Sequence, residues 1–361
     1  MSRPYREKSH FGTGLVIYVL IFLILTVVGL IFFFDWLKAY ENTQPYNAVN
    51  AYEAFLRQNG LTPAGLASLT DVDREHQPDS EITRITKEVL SDAALYRSLS
   101  KGSSDRQAYL VHADGNTVGT VYFSPEGEKQ FNFRAWVPVE EDFDFSAYYD
   151  SVSLKVPEGY TVSVNGVPLD EKNRTESGIR YQTLQDYYDE YSGLPTLVRY
   201  ASGNLLGESV TTVTDGSGNP VSPDNLTESF FLDTCSNADR TRLSAFTREF
   251  ISDYVQFTAD VGGGHYYYYN EVRQRITPDS PLLDRMAQSL GSFGFTTTHS
   301  CKIIKDSVNI CCPFAKNVFF VDYSYTTETV GTGSAVEDSR NVRLVMEDSS
   351  GQLLVREMTY Y

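Results

Sequence analysis

Between Phe11 and Phe34 the chain reads FGTGLVIYVLIFLILTVVGLIFFF, with no charge and with 18 of its 24 residues Leu, Ile, Val or Phe. A helix of that length spans roughly 36 Å, enough to cross a hydrocarbon core of ~30 Å with some tilt. Each such side chain favours the bilayer centre by about 0.3 to 0.6 kcal/mol, so the run predicts a membrane-spanning helix. No comparable run follows, and the chain is expected to cross once, with the lipid bilayer as its partner through residues 11–34. A cleaved signal peptide fits less well, because the apolar core is too long and no small-x-small cleavage site follows it.

Beyond the apolar run the pattern turns helical. Val49, Tyr52, Phe55 and Leu56 fall at steps of three and four between Pro45 and Asn59, with Gly60 as the stop. Ile82, Ile85, Val89 and Tyr96 predict a second helix from Ser80 to Ser98. The period then becomes two. Tyr109 to His112, the turn Asp114-Gly115-Asn116 and Val118 to Phe123 predict a hairpin, with Phe131, Phe133 and Ala135 on a third strand. The charged run VEEDFDF, Val139 to Phe145, marks a boundary in this pattern.

From Ser151 the chain reads as β only, and Asn165-Gly166 between Val162/Val164 and Val167/Leu169 is a strong hairpin signal, since both turn positions favour positive φ. The segment DGSGNPVSPDN closes this stretch. A long helix follows, about Asn237 to Asp260, with Leu243, Phe246, Phe250 and Tyr254 along one face. Shorter helices are expected at Tyr266 to Gln274 and from Pro281 to Gly291, and then four strands: Thr296 to Cys312, Val318 to Thr327, Asn341 to Glu347 and Gln352 to Tyr360. The fold class is α+β. It comprises a tail (1–10), a transmembrane helix (11–34), an α+β domain (45–138) for which an NTF2-like fold is one reading, a small β module (150–222) and a C-terminal helix-and-sheet domain (227–361) expected to fold alone.

Charge sets the orientation. Arg3, Arg6 and Lys8 precede the apolar run against a single Glu7, whereas Asp35, Lys38 and Glu41 follow it, so the positive-inside rule places residues 1–10 in the cytoplasm and the remainder outside the cell membrane. Trp36 and Tyr40 suit the outer headgroup layer. The chain's net charge is −17 and the tail carries +2, so the part beyond the tail carries −19, which argues against nucleic acid as a partner. Four cysteines, Cys235, Cys301, Cys311 and Cys312, permit two disulfides without specifying any; Cys311 and Cys312, adjacent on a strand, point to opposite faces and read best as small buried hydrophobes in the reduced state. The histidines are scattered and no CxxC occurs, so no metal site is expected.

Helices followed by a four-stranded meander that closes on NVRLVMEDSSGQLLVREM resemble the NTF2-like fold. The stretch VPEGYTVSVNGVPL resembles the small β modules of PEGA type and of TcaA-like membrane proteins of Gram-positive bacteria, in which one N-terminal anchor carries β modules and NTF2-like domains outside the cell. This chain departs from TcaA-like proteins in having no cysteine ahead of the anchor, hence no cytoplasmic zinc ribbon. The resemblance implies a C-terminal NTF2-like cone and a cell-envelope protein acting in wall sensing or assembly, with cell-wall or envelope proteins as partners.

Candidate chemistry is sparse. In an NTF2-like cone, His265, Tyr266, Tyr323, Tyr325 and Asp322 are available as liners, but period two turns Asp322 away from Tyr323 and Tyr325. His265, Tyr266, Tyr323 and Tyr325 are therefore carried as a ligand or partner surface rather than as catalytic groups. Ser98 to Lys101 matches SxxK without SDN or KTG, and neither GxSxG nor a P-loop occurs. The expectation is a non-enzymatic binding or scaffold protein without cofactor; the alternative is a cone that binds or converts a small apolar ligand.

Overall fold

A computed structural model of the chain describes residues 11–103, 105–292, 298–333 and 335–361. The cationic tail 1–10 and the expected strand start at Thr296 lie outside them. The chain is α+β, with one long apolar N-terminal helix and several antiparallel sheets. It divides into two compact units, residues 1–151 with 202–210, and residues 152–201 with 211–361.

In the first unit the apolar run forms helix α1, Phe11–Asn42, whose side chains stay exposed until Ala39. Helix α2, Pro45–Asn59, has Pro at its first turn and buries Val49, Tyr52 and Leu56; Gly60 ends it at φ 78°, donating its N–H to the Leu56 carbonyl at 2.9 Å. After the short α3, Pro63–Ser68, helix α4 covers Asp79–Val89 and buries Ile82 and Ile85. The second helix thus ends nine residues before the expected Ser98. Leu90–Asp92 form a 3₁₀ turn, and Ala94–Ser98 become strand β1, leaving Tyr96 59% exposed rather than on a buried stripe. Pairing with β2 (Gln107–Ala113) along five residues overrides the helical spacing that puts Tyr96 on the stripe.

Strand β3, Asn116–Ser124, completes the expected hairpin, with Asp114 and Gly115 at positive φ in its turn. The third-strand expectation is corrected. Phe131 and Phe133 belong to a small separate hairpin, β4 (Lys129–Gln130) and β5 (Phe133–Arg134), while the run taken as a boundary supplies β6, Val137–Phe143, on the outer edge of a sheet ordered β1-β2-β3-β6. An edge strand tolerates charge because one face and one side meet water: Glu140 pairs with Arg106, whereas Phe143 is buried. Leu56, Ile82, Leu90, Val111, Val121, Phe123 and Phe145 fill the core between helices and sheet.

Residues 202–210 also belong to this unit. Leu205–Leu206 pairs with Tyr149–Asp150 (β7), and the buried Gln77 amide holds Leu206 at both ends, donating to its carbonyl and accepting from its N–H, each at 2.7 Å. Asp73 adds an acceptor for the Gly203 N–H at 3.1 Å.

The second unit begins with short strands: β8 (Ser153–Pro157), β9 (Thr161–Val164), β10 (Val167–Pro168), β11 (Arg174–Arg180) and β12 (Thr196–Ala201); Leu205–Leu206 counts as β13, and β14 (Thr211–Thr214) and β15 (Pro220–Val221) follow. They form two sheets, β11-β12-β8 and β10-β9-β14-β15. Asn165 (φ 51°) and Gly166 (φ 82°) make the two-residue turn of the β9–β10 hairpin. Gly166→Val is expected to destabilise this unit by roughly 1 kcal/mol or more, because a β-branched residue must then hold positive φ; a lowered denaturation midpoint checks it, and an unchanged one contradicts the turn. The module is not purely β. A 3₁₀ stretch, Gln182–Tyr187, places Tyr187 and Tyr191 edge-on against Phe314, each at 5.5 Å, and Tyr187 against Phe320 at 5.8 Å.

Helices α5 (Glu228–Leu232), α6 (Asn237–Thr258), α7 (His265–Arg273) and α8 (Pro281–Ser289) then precede β16 (Ser300–Ala315), β17 (Val318–Val330), β18 (Val336–Ser349) and β19 (Gln352–Tyr360). These four strands form an antiparallel meander, and bulges in the β16–β17 and β18–β19 ladders bend it. Ser236 caps α6 by accepting the Asp239 N–H at 3.1 Å. Leu243, Phe250, Ile251, Val255 and Phe257 of α6 pack against Val321, Tyr323, Leu344, Met346 and Val355 of the sheet, and Phe246 and Tyr254 sit partly buried at the margin. This helices-on-curved-sheet arrangement is the one expected of the C-terminal segment. The reduced-state expectation for Cys311 is corrected: it is disulfide-bonded to Cys235, while Cys301 and Cys312 are free and buried. Sequence spacing gave no sign of this, because the loop 233–235 reaches Cys311 only once it docks on β16, where Thr234 and Cys235 both donate to the Cys311 carbonyl.

Candidate functional site

Where α6 leaves the sheet, the cone holds a cavity of about 400 Å³. From the helix come Tyr254, Val255, Thr258 and Ala259; from the strands come Cys301, Tyr325, Thr327, Thr329, Asp338, Arg340 and Tyr360. Strand period two aims Tyr325, Thr327 and Thr329 to the same side, and register brings Arg340 opposite Tyr325.

The cavity wall is a set of polar groups on an apolar floor. The Tyr325 and Tyr360 hydroxyls share a hydrogen bond at 2.9 Å, and the Arg340 Nε donates to Asp338 Oδ2 at 2.6 Å with its guanidinium 5.7 Å above the Tyr360 ring. Thr329 Oγ1 donates to the Cys301 thiol at 3.4 Å. Burial pushes the Tyr254 hydroxyl up to about 12 and raises Tyr325 and Tyr360 as well, so all three stay protonated near neutral pH. Such a wall can hold hydroxyl, carbonyl or carboxylate groups of a small ligand by hydrogen bonds.

The four residues carried from the sequence fall into two places. Tyr325 lines the cavity. Tyr323 lies on the same face, its ring 6.0 Å from Tyr325, but is fully buried, with its hydroxyl donating to Asp306 Oδ2 at 2.9 Å. His265 and Tyr266 open helix α7, where His265 Nδ1 is 2.7 Å from the buried Asp260 and Tyr266, 61% exposed, tilts against the His265 ring at 4.6 Å. Neither is among the cavity's lining residues. Asp322 occupies the opposite sheet face, accepting from Asn309 at 2.8 Å and from the Tyr361 hydroxyl at 2.7 Å. Sequence reasoning missed Arg340, Asp338 and Tyr360; the signal was the alternation through Asp338, Arg340 and Val342, which has meaning only once its strand partner is known. Among the described residues, no group of three or more His, Cys, Asp or Glu side chains is placed to hold a metal ion.

No protein-family model matches the chain, and no curated protein matches it. Among solved structures the chain is similar to an NTF2-like protein involved in plasmid conjugation, at 11% identity, covering 82% of this chain and 93% of that one with a TM-score of 0.23. A superposition this loose identifies neither a family nor an activity.

Proposed function

We propose that the chain is a single-pass cell-membrane protein that presents its two units outside the cell as a non-enzymatic binding or scaffold protein of the bacterial envelope, in the manner that the TcaA-like resemblance implies. The observation that carries this reading is α1: the apolar run from Phe11 to Phe34 is exposed along its whole length, and lipid is the medium that suits it. The Cys235–Cys311 disulfide supports an oxidising location for the second unit. External protease added to intact cells is expected to digest residues 43–361; full protection of that region behind a sealed membrane overturns the topology.

The cone cavity favours a second reading, in which the C-terminal domain holds a small ligand. Tyr254, Tyr325, Tyr360 and Arg340 favour a ligand with polar groups over a wholly apolar one. A ligand bound there raises the unfolding temperature by mass action, and a thermal-shift screen of small hydroxylated and carboxylated molecules tests it.

A further inference from the structure

The β4–β5 hairpin has an unusual tip. Gln130 pairs with Phe133, leaving Phe131 and Asn132 as the turn, and Phe131 holds φ 52° and is 52% exposed. Positive φ suits Gly or Asn and is sparsely populated for a bulky residue, so an aromatic ring is held outward at a position that disfavours it. Nothing in the domain core uses this ring.

What lies beside the hairpin gives the ring a destination. Phe133 packs edge-on against Trp36 at 5.4 Å and Tyr40 at 5.2 Å, and Trp36 in turn stacks at 6.1 Å on Phe33. Trp36 and Tyr40 follow the last apolar residue by two and six positions, which at 1.5 Å per residue is roughly 3 and 9 Å beyond the hydrocarbon edge. Trp36 thus lies within the headgroup layer, about 5 to 7 Å thick on each side, and Tyr40 at its outer margin. Phe131 stands two residues from Phe133 in the turn of the same hairpin, so their backbones lie within roughly 7 Å of each other.

We propose that the Phe131 tip of the β4–β5 hairpin is a second membrane contact, seated in the headgroup and upper acyl region beside α1, so that the first domain is held against the bilayer at two points. The proposal rests on α1 spanning the membrane. Lys129 and Arg134 pair across the hairpin, but Glu126 and Glu128 precede it and cancel their charge, so the contact is apolar and independent of anionic lipid.

The test uses the full chain in vesicles of phosphatidylcholine, with and without phosphatidylglycerol, carrying lipids nitroxide-labelled high on the acyl chain. A fluorophore is attached in Phe131→Cys and, separately, in Phe34→Cys; Cys301 and Cys312 are buried and unlabelled in the folded chain. Collisional quenching of the Phe131→Cys label is expected within about twofold of that at Phe34→Cys, the same in both lipid mixtures. Quenching at Phe34→Cys with none at Phe131→Cys overturns the hairpin contact and leaves the span intact. Absence of quenching at both sites overturns the span and the contact together. Quenching of Phe131→Cys seen only with phosphatidylglycerol overturns the apolar contact in favour of an electrostatic one. A Phe131→Ser chain that keeps its circular-dichroism spectrum confirms that the ring is not needed for folding.

Discussion

Phe250→Ala is expected to destabilise the second unit by about 3 to 5 kcal/mol, a large share of the roughly 5 to 15 kcal/mol that holds a domain together. Phe250 is fully buried at the centre of α6, stacked between Phe246 at 6.3 Å and Tyr254 at 6.2 Å, and packed in the cluster that joins the helix to the sheet. Truncation removes the transfer free energy of the ring and leaves a cavity that neighbours on a rigid sheet cannot close. Denaturant titration of the full chain, followed by near-ultraviolet circular dichroism, measures the loss; a midpoint close to wild type means that α6 does not carry the core. The measurement belongs on the full chain, because a piece beginning at residue 227 lacks Tyr187 and Tyr191, which cover Phe314 and Phe320 on the sheet's other face.

Removing the disulfide is the second large effect. Cys235 and Cys311 are 76 residues apart, and closing a loop of that length restricts the unfolded chain by an amount that the loop-entropy model puts at about 4.5 kcal/mol, with measured removals at about 2 to 5. The hydrogen bonds around it use backbone groups and not the sulfurs: Asp233 Oδ1 accepts the Cys311 N–H at 3.0 Å, and Thr234 and Cys235 donate to the Cys311 carbonyl at 3.1 and 3.0 Å, so none of them is removed with the bond. Cys235→Ala should therefore lower the denaturation midpoint without changing the folded state, and dithiothreitol should lower the wild-type midpoint to a similar value while leaving the variant unmoved. A wild type insensitive to reductant contradicts the bond. Cys312 does not substitute for Cys311, because burial pushes its thiol up to about 11 and it lies on the other face of β16.

The span needs only the apolar run, whereas the Phe131 contact needs the β4–β5 hairpin to sit beside Trp36 and Tyr40. A protein anchored at one point swings about its linker, and one held at two presents fixed surfaces to its surroundings.

The sequence alone determined whatever depends on neighbours a few residues apart. The long apolar helix that begins at Phe11, the limits of Pro45–Asn59, the face of α6, the Asn165-Gly166 turn and the opposed facing of Asp322 and Tyr323 all follow from local composition, from periodicity or from the φ preference of single residues. Tertiary structure decided what depends on a distant partner. Ala94–Ser98 became a strand because β2 offered it a ladder, and Val139–Phe143 of the VEEDFDF run joined an edge strand because β3 had a free side and water accepted its charges. Cys235 found Cys311 only across a docked loop, and residues 202–210 joined the first unit through Gln77 and Asp73, neither of which carries a local signal. The cavity follows the same division: the inward facing of Tyr325 is written in its own strand, but Arg340 and Tyr360 join it through the register of three strands, which hydrogen-bond pairing sets and no short pattern encodes.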